Sequence, residues 1–257
     1  MADTRVFSNG YINIAFIPVN GITNPKAPTA AELNAGLNVS HATAWDGTTF
    51  PTMSESSDVE DRSILDAGNA TTRGFANYEG TLQFFYPRDL NDIVSDYGKV
   101  FQMLKLPQGT YWVVTRVLQN VKGEATPFAA GQYISVFKFI ADTFINNVDG
   151  EDSYKYTVEL LPQGTVYANT LVKVASPPTV VNASGGAALT VGNHAVLRAT
   201  LSGHRATQLV EWKSSAPDVA FISPNGVVTA LKAGTAQITA SHPAASADST
   251  PLAITVS

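Results

Sequence analysis

The chain has 257 residues, of which 44% are apolar and 14% charged, so it can bury one large core or two ordinary ones. It contains no cysteine, which excludes disulfide bonds and thiolate metal sites, and its net charge of −5 opposes tight binding to nucleic-acid phosphates. No apolar run approaches the length of a membrane-spanning helix, and the first residues, MADTRVFSNG, lack the pattern of a signal peptide.

Charge divides the chain unevenly. Residues 1–175 carry 12 Lys and Arg against 18 Asp and Glu, whereas residues 176–257 carry 4 against 3. The change falls at the SPPT stretch at 176–179, where paired prolines stiffen a short exposed connection. We therefore predict a first domain over residues 1–175, a linker over 176–181 and a second domain over 182–257.

The first part of the chain has the composition of an all-β domain with one main helix. Apolar runs at residues 11–19 and 132–146 predict strands, and residues 154–161 alternate apolar with polar side chains, as in a strand with one buried face. The Asp149-Gly150 pair between the last two runs predicts a hairpin turn. The TAAELNAG stretch at 29–36 begins with a capping-box pattern and predicts a short helix.

A longer helix is predicted over residues 89–106, with Asp89 as its N-cap. Glycine inside a helix costs about 1 kcal/mol relative to alanine, so Gly98 requires that tertiary packing hold this element. Six apolar residues recur at helical spacing and form one face in this prediction: Leu90, Ile93, Val94, Tyr97, Phe101 and Leu104.

Residues 54–66, SESSDVEDRSILD, are rich in acidic side chains. One interpretation is a solvated loop, which is what charge runs usually are. The other is a mobile hairpin that becomes ordered against another subunit, with the inter-subunit or ring-stacking contacts made by Glu55, Asp58, Glu60, Asp61 and Arg62.

After the linker, short apolar runs recur at regular spacing and are separated by turn signals such as Asn225-Gly226 and Ala233-Gly234. This rhythm is typical of a small β-sandwich. Trp212 and Phe221 are predicted to lie in its core. The predicted strands cover residues 179–182, 188–191, 195–202, 207–213, 219–222, 226–231, 234–241 and 251–256.

Several motifs in this second part are specific: VG at 191–192, EWKSS at 211–215, DVA at 218–220, GVVTA at 226–230 and KAGTAQIT at 232–239. Together they resemble the bacterial immunoglobulin-like domain of group 2. The resemblance implies an immunoglobulin-like β-sandwich in which Trp212, Gly226 and Gly234 have structural roles. It implies no activity, because such domains occur in surface adhesins, in secreted enzymes and on phage virion proteins.

The first 175 residues resemble the major tail tube protein of long-tailed, siphovirus-type bacteriophages. The residues that carry the resemblance are the TAAELNAG stretch, the acidic segment at 54–66, the TLQFFYP strand that leads into the predicted helix, and the strand pair around Asp149-Gly150. The family implies a β-sandwich or barrel of two packed antiparallel sheets with a flanking helix.

The same resemblance implies a structural virion protein. Six subunits would close a ring, and stacked rings would form a tube through which genomic DNA passes without sequence-specific binding. The implied partners are other copies of the chain and other tail proteins. The implied location is the virion tail, assembled in the host cytoplasm, with the immunoglobulin-like domain outside, where it could reach the host cell surface.

Signatures of chemistry are missing from the sequence. The four histidines do not form a metal-binding pattern, and no P-loop, GxGxxG or GxSxG motif occurs. We therefore predict no enzymatic activity, no cofactor, no metal site and no membrane association. The alternative function is a surface binding module or adhesin, in which the second domain recognises glycans or cell-wall polymer.

Overall fold

The computed structural model describes residues 12–56, 76–105, 109–117, 126–147, 153–164, 166–182, 188–201, 204–205 and 209–257. By residue contacts these divide into two units. The first comprises Met1–Thr23, Glu32–Pro127 and Ile134–Asn169, and the second comprises Asn24–Ala31, Phe128–Tyr133 and Thr170–Ser257. The linker over residues 176–181 stays a prediction.

Nine strands, two α-helices and one short 3-10 helix, Val19–Gly21, occupy the described residues up to Leu171. The strands are β1 Ile12–Pro18, β2 Leu37–Asn38, β3 Thr43–Ser56, β4 Ala76–Phe85, β5 Thr110–Val117, β6 Tyr133–Ala141, β7 Ile145–Asn147, β8 Lys155–Pro162 and β9 Tyr167–Leu171. The helices are α1 Ala30–Asn34 and α2 Asp96–Leu104.

The sheet of the first unit curls into a barrel. Antiparallel pairs follow the order β2-β1-β5-β6-β8-β4-β3, with β7 beside β8 and β9 beside β6. Residues 39–42 then join the two sides, because Val39 N donates to Ile14 O at 2.9 Å and Phe85 N donates to Ala42 O at 2.9 Å. The predicted β-sandwich or barrel with one main helix is confirmed.

An aromatic core fills this barrel. The rings of Phe16 on β1 and Phe84 on β4 meet at 6.0 Å across the interior, although their strands are far apart in the sheet order. Helix α2 covers the core through Phe101 and Leu104. The remaining large buried side chains in contact are Ile14, Val39, Leu82, Val100, Val113, Phe137, Phe139, Tyr156, Val158 and Leu160.

A buried polar cluster ties the closing segment to β1. Asn13 is 0% exposed, and its Nδ2 donates to Thr126 O at 2.9 Å. Its Oδ1 accepts hydrogen bonds from Asn38 Nδ2 at 2.7 Å and from Ser40 Oγ at 2.9 Å. Because buried polar groups are costly to leave unpaired, this cluster fixes the path of residues 38–40 beside β1.

The second unit contains two sheets that pack face to face. The strands are β10 Thr179–Asn182, β11 Ala188–Leu189, β12 His194–Leu201, β13 His204–Arg205, β14 Glu211–Ser214, β15 Ala220–Ile222, β16 Val227–Ala230, β17 Gly234–Ser241 and β18 Leu252–Val256. One sheet has the order β10-β12-β16-β15 with β13 beside β12, and the other has the order β11-β18-β17-β14. The predicted immunoglobulin-like sandwich is confirmed.

Trp212 packs against the core between these sheets and is partly buried. Gly226 lies beneath it in the left-handed region, with φ +79°, and a Cβ there would lie 2.7 Å from Leu197 O and 3.3 Å from the Trp212 ring. Gly234 also has a positive φ, +151°. Phe221, by contrast, is 49% exposed, so its predicted core position is wrong: on β15 it alternates with buried Ala220 and Ile222.

We predict that Asn13→Leu lowers the stability of the first unit by about 2–4 kcal/mol, because it takes the partner away from two side-chain donors and one carbonyl that are partly buried. Calorimetry should show that unit melting about 5–10 °C lower. The control Asn91→Ala changes an exposed asparagine and should melt within about 2 °C of wild type. Equal melting of Asn13→Leu and wild type would contradict the role of the cluster.

Candidate assembly surfaces

The predicted helix over residues 89–106 is wrong at its start, because α2 begins at Asp96 with Ser95 as its N-cap. Residues 89–95 form turns instead. Asn91 N donates to Asp89 Oδ1 at 2.9 Å, and Val94 N donates to Asp92 Oδ1 at 2.7 Å. These local bonds offer the backbone an alternative to helical hydrogen bonds, which is why aspartate favours turns and caps over helix interiors.

The turn is joined to the helix by a continuous set of hydrogen bonds. Ser95 Oγ accepts from Gly98 N at 3.1 Å and is itself hydrogen-bonded to the Asp92 carboxylate. The Ser95 hydroxyl, followed by the backbone N–H groups of Val94 and Ser95, holds the pKa of Asp92 below its usual value. The carboxylate is therefore ionised at neutral pH, in the form that accepts these bonds.

Gly98 permits this arrangement. A Cβ at position 98 would lie 2.4 Å from Asp92 O, which is closer than any real contact. Glycine is unfavourable within a helix, but it is required at position 98 because the segment at residues 89–95 folds over the start of α2. The sequence indicates that Gly98 destabilises a helix, but it does not reveal that the segment at residues 89–95 requires a glycine there.

Because the helix begins late, three residues of its predicted apolar face point to solvent. Leu90 is 54% exposed, Ile93 71% and Val94 78%, and we call these three residues the apolar turn. Only the later members of the predicted face, Phe101 and Leu104, reach the core. Burying an aliphatic side chain yields about 1.5–3 kcal/mol, so the apolar turn is a large unused source of binding energy.

A groove lies beside the turn. It has a volume of 820 Å³ and is lined by Phe85, Tyr86, Pro87, Arg88, Asp89, Asp92, Ser95, Tyr97 and Ser153. Tyr97 is 40% exposed and Tyr154, which follows Ser153, is 67% exposed. The groove thus extends the apolar turn with aromatic surface.

Aromatic packing supports the groove from below. The Tyr86 and Tyr156 rings meet at 4.9 Å, and Phe101 meets Tyr156 at 5.8 Å. Tyr156 is fully buried and its hydroxyl has no hydrogen-bond partner among the described residues, while burial and the neighbouring Tyr86 raise its pKa. The phenol is therefore neutral, and it packs in an aromatic cluster with Tyr86, which lines the groove.

A second surface is formed by the outer halves of β3 and β4. Thr52 pairs with Glu79 and Ser56 with Ala76, whereas β8 pairs with β4 only from Gly80 onwards. Among the described residues, 52–56 and 76–79 are thus a two-stranded extension beyond the barrel, which we call the ribbon. An isolated two-stranded hairpin is marginally stable in water, and a third strand would add to the stability of the ribbon.

One of the predicted contact residues lies in the ribbon. Glu55 is on β3, and its backbone continues the ribbon. The others, Asp58, Glu60, Asp61 and Arg62, are outside the described residues. Their role in inter-subunit contact stays a prediction. The three residues predicted to have structural roles all lie in the second unit. Trp212 packs against its core, and Gly226 and Gly234 have positive φ angles.

Within the described residues, no group of three or more His, Asp or Glu side chains could hold a metal ion. No helix among them is long and apolar enough to cross a membrane.

Comparison with known families assigns both parts of the chain. A family model described as phage tail tube protein matches residues 1–175, and one described as bacterial Ig-like domain (group 2) matches residues 178–249. The protein is therefore a structural component of a phage tail, which assembles with other tail proteins into a multi-subunit structure. The chain belongs to the phage tail tube protein family and carries a group 2 bacterial immunoglobulin-like domain. Both resemblances identified from the motifs are confirmed.

Two solved structures match the chain at low similarity. A chain of the anti-feeding prophage baseplate, solved by cryo-EM with 6-fold symmetrisation, is 14% identical with a TM-score of 0.40, and the match covers 66% of this chain and 100% of that one. A 282-residue C-terminal fragment of intimin, in complex with the intimin-binding domain of its translocated receptor, is 13% identical with a TM-score of 0.26, covering 58% of each chain. Neither likeness carries an argument at these TM-scores. No curated protein matches the chain.

Proposed function

We propose that the chain is the major tail tube subunit of a long-tailed phage, and that six copies close a ring. Rings stack into a hollow tube that conducts genomic DNA, and the immunoglobulin-like domain projects outward. The observation that carries this proposal is the ribbon, found on a chain of the tail tube family. Among the described residues, no strand pairs with the outer edge of the ribbon. Open strand edges and incomplete hairpins are templates for association.

Charge supports passage of DNA through such a tube. Residues 1–175 have six more acidic than basic residues. A net negative wall repels phosphate and lets DNA slide without sequence-specific contacts. The protein has no enzymatic role in this proposal; it assembles in the host cytoplasm and functions in the virion tail.

The acidic segment supports stacking between rings. In the sequence, residues 58–62 come shortly after Ser56, the last residue of the ribbon on β3, so we expect a partner that completes the ribbon to contact them as well. Ordering of such a segment on binding is typical of assembly elements with high charge. In this proposal Glu55, Asp58, Glu60, Asp61 and Arg62 form a ring-to-ring contact.

We expect negative-stain microscopy of the concentrated protein, or of tails from phage carrying it, to show rings or tubes. A variant lacking residues 180–257 should form the same tubes, because both surfaces lie in the first unit. Leu171 and Val174 pack in the smaller core of the second unit, so they are changed to serine in this variant to avoid exposing apolar surface. A chain that stays monomeric at every concentration and is missing from isolated tails would refute the tube proposal.

Replacing Asp58, Glu60 and Asp61 together by alanine should reduce tube formation without loss of folding. Circular dichroism and melting temperature should match wild type, while the fraction that sediments as tubes falls several-fold. A matched control is Glu211→Ala with Asp218→Ala, which removes acidic residues from the second unit. Unchanged sedimentation of the triple variant would remove the stacking role from the segment.

A second candidate function is recognition of glycans or cell-wall polymer by the second unit at the host surface. The exposed ring of Phe221 favours it. Phe221 and His194 both pair with Thr229, so the three residues form a row across β15, β16 and β12, and the sequences of these strands contain no acidic residue. A flat row of aromatic, imidazole and hydroxyl groups suits an extended polymer of sugars.

Immobilised lipopolysaccharide and teichoic acid provide the probes for this second function. The full chain should bind one of them, Phe221→Ser should lose most of that binding, and Phe221→Trp should keep it. Leu231→Ser, which changes another half-exposed apolar residue of the unit, is the control. Equal retention of the wild type and Phe221→Ser would exclude this face as the binding site.

A further inference from the structure

We propose that the second unit binds a polymer of acidic sugars, and that Arg198 binds a carboxylate of that polymer. This inference rests on the second candidate function and adds the chemical class of the ligand. The site is the outward side of the sheet β10-β12-β16-β15, which we call the outer face. Its outward residues are Val181, His194, Val196, Arg198, Phe221, Val227 and Thr229.

Strand register places these residues on one side of the sheet. On β12, His194, Val196 and Arg198 are exposed and alternate with buried residues. Val227 pairs with Val196, and Phe221 lies two strands away from His194. Strands lie about 4.8 Å apart and rise about 3.3 Å per residue, so Phe221 and Arg198 are roughly 16 Å apart with Val227 between them. Several sugars of an extended chain can bridge that span.

The charge of this part of the chain indicates an anionic ligand. Residues 176–210, which contain β10, β12 and β13, have two arginines and two histidines but no aspartate or glutamate. An acidic polymer therefore meets little repulsion here, and Arg198 supplies attraction. In the second unit as a whole the basic residues are Lys26, Lys173, Arg198, Arg205, Lys213 and Lys232, and the acidic residues are Glu211, Asp218 and Asp248.

Two charged residues flank the other strands of the sheet. Asp218 precedes β15 and Lys232 follows β16. Because β16 runs antiparallel to β12, its end at Ala230 lies beyond His194 and away from Arg198. Asp218 and Lys232 therefore adjoin the end of the outer face that is farther from Arg198, and Asp218 does not neutralise the arginine.

The side chains divide the recognition between them. The ring of Phe221 is 49% exposed and offers a flat apolar surface to the C–H side of a sugar. His194 Nδ1 and Thr229 Oγ1 lie 3.1 Å apart and place polar groups in the same row. The Arg198 guanidinium and a carboxylate are both planar, so they can form two parallel hydrogen bonds. A sugar that carries a carboxylate meets both requirements.

The experiment measures binding of the full chain to immobilised polygalacturonate and to its methyl ester, which has the same sugars without the charge. Wild type should bind the acid form at least five-fold more tightly than the ester. Arg198→Gln should bind both forms at the level of the ester, and Arg198→Lys should recover part of the difference. The control is Lys213→Gln, which removes an exposed positive charge from β14 in the other sheet and should bind as wild type does.

A second variant separates recognition of the sugar from recognition of the charge. Phe221→Ser should weaken binding to the acid form and to the ester alike. Circular dichroism and melting of every variant should match wild type, because the changed side chains are exposed. Double-stranded DNA tests a different polyanion, and wild-type binding to DNA as tight as to polygalacturonate would overturn recognition of sugars.

The remaining outcomes distinguish this inference from the function on which it rests. Equal wild-type binding to acid and ester would overturn the role of charge and leave glycan recognition standing. Tighter binding to teichoic acid than to polygalacturonate would overturn the carboxylate in favour of phosphate. Binding to neither galacturonate polymer would overturn this inference, whereas the experiment with lipopolysaccharide and teichoic acid decides the second candidate function. If Arg198→Gln lowers the fraction that sediments as tubes and leaves polymer binding unchanged, the outer face binds another copy and the inference fails.

Discussion

The fold of the first unit depends on one closure, made by four residues. Val39 N donates to Ile14 O on β1, and Phe85 N at the end of β4 donates to Ala42 O. Residues 39–42 therefore close the sheet, which would otherwise have two open edges. The Asn13 cluster holds this segment in place, and the aromatic core then packs inside a closed wall. Both candidate surfaces adjoin the strands that the closure joins. The ribbon is the part of β3 and β4 that continues past it, and the apolar turn comes after β4 in the chain, following residues 86–89.

The sequence predicted the sandwich of the second unit in detail. The strand predicted over residues 234–241 coincides with β17, because alternation and the glycine at the preceding turn both mark its limits. Phe221 was misplaced because the apolar run over residues 219–222 does not reveal which side chains face inward, and a shift of one residue exchanges the faces. The barrel closure could not be predicted, since it depends on residues that meet across large sequence separations.

The start of α2 shows a second limit of sequence patterns. Leu90, Ile93 and Val94 continue the spacing of Phe101 and Leu104, so periodicity alone extends the helix to residue 89. Aspartates at 89 and 92 followed by Ser95 are turn and cap residues, and their hydrogen bonds to the backbone outweigh the periodicity. Three residues of types that stabilise turns and caps, Asp89, Asp92 and Ser95, are spaced by three and could have located the true helix start. Because α2 starts at Asp96, Leu90, Ile93 and Val94 lie outside the helix and form an exposed surface instead of a core-facing one.

The pre-formed turn and the ribbon differ in how much structure must form after a neighbouring subunit arrives. The hydrogen bonds of the turn exist in the single chain, so docking there proceeds at the rate of collision and orientation. The ribbon gains a third strand only when a partner is present, so its completion would follow capture. Subunit addition would then have two stages, in which a reversible landing on the turn precedes locking by the ribbon. A subunit in the wrong orientation could leave before the second stage, which gives the growing structure a means of proofreading.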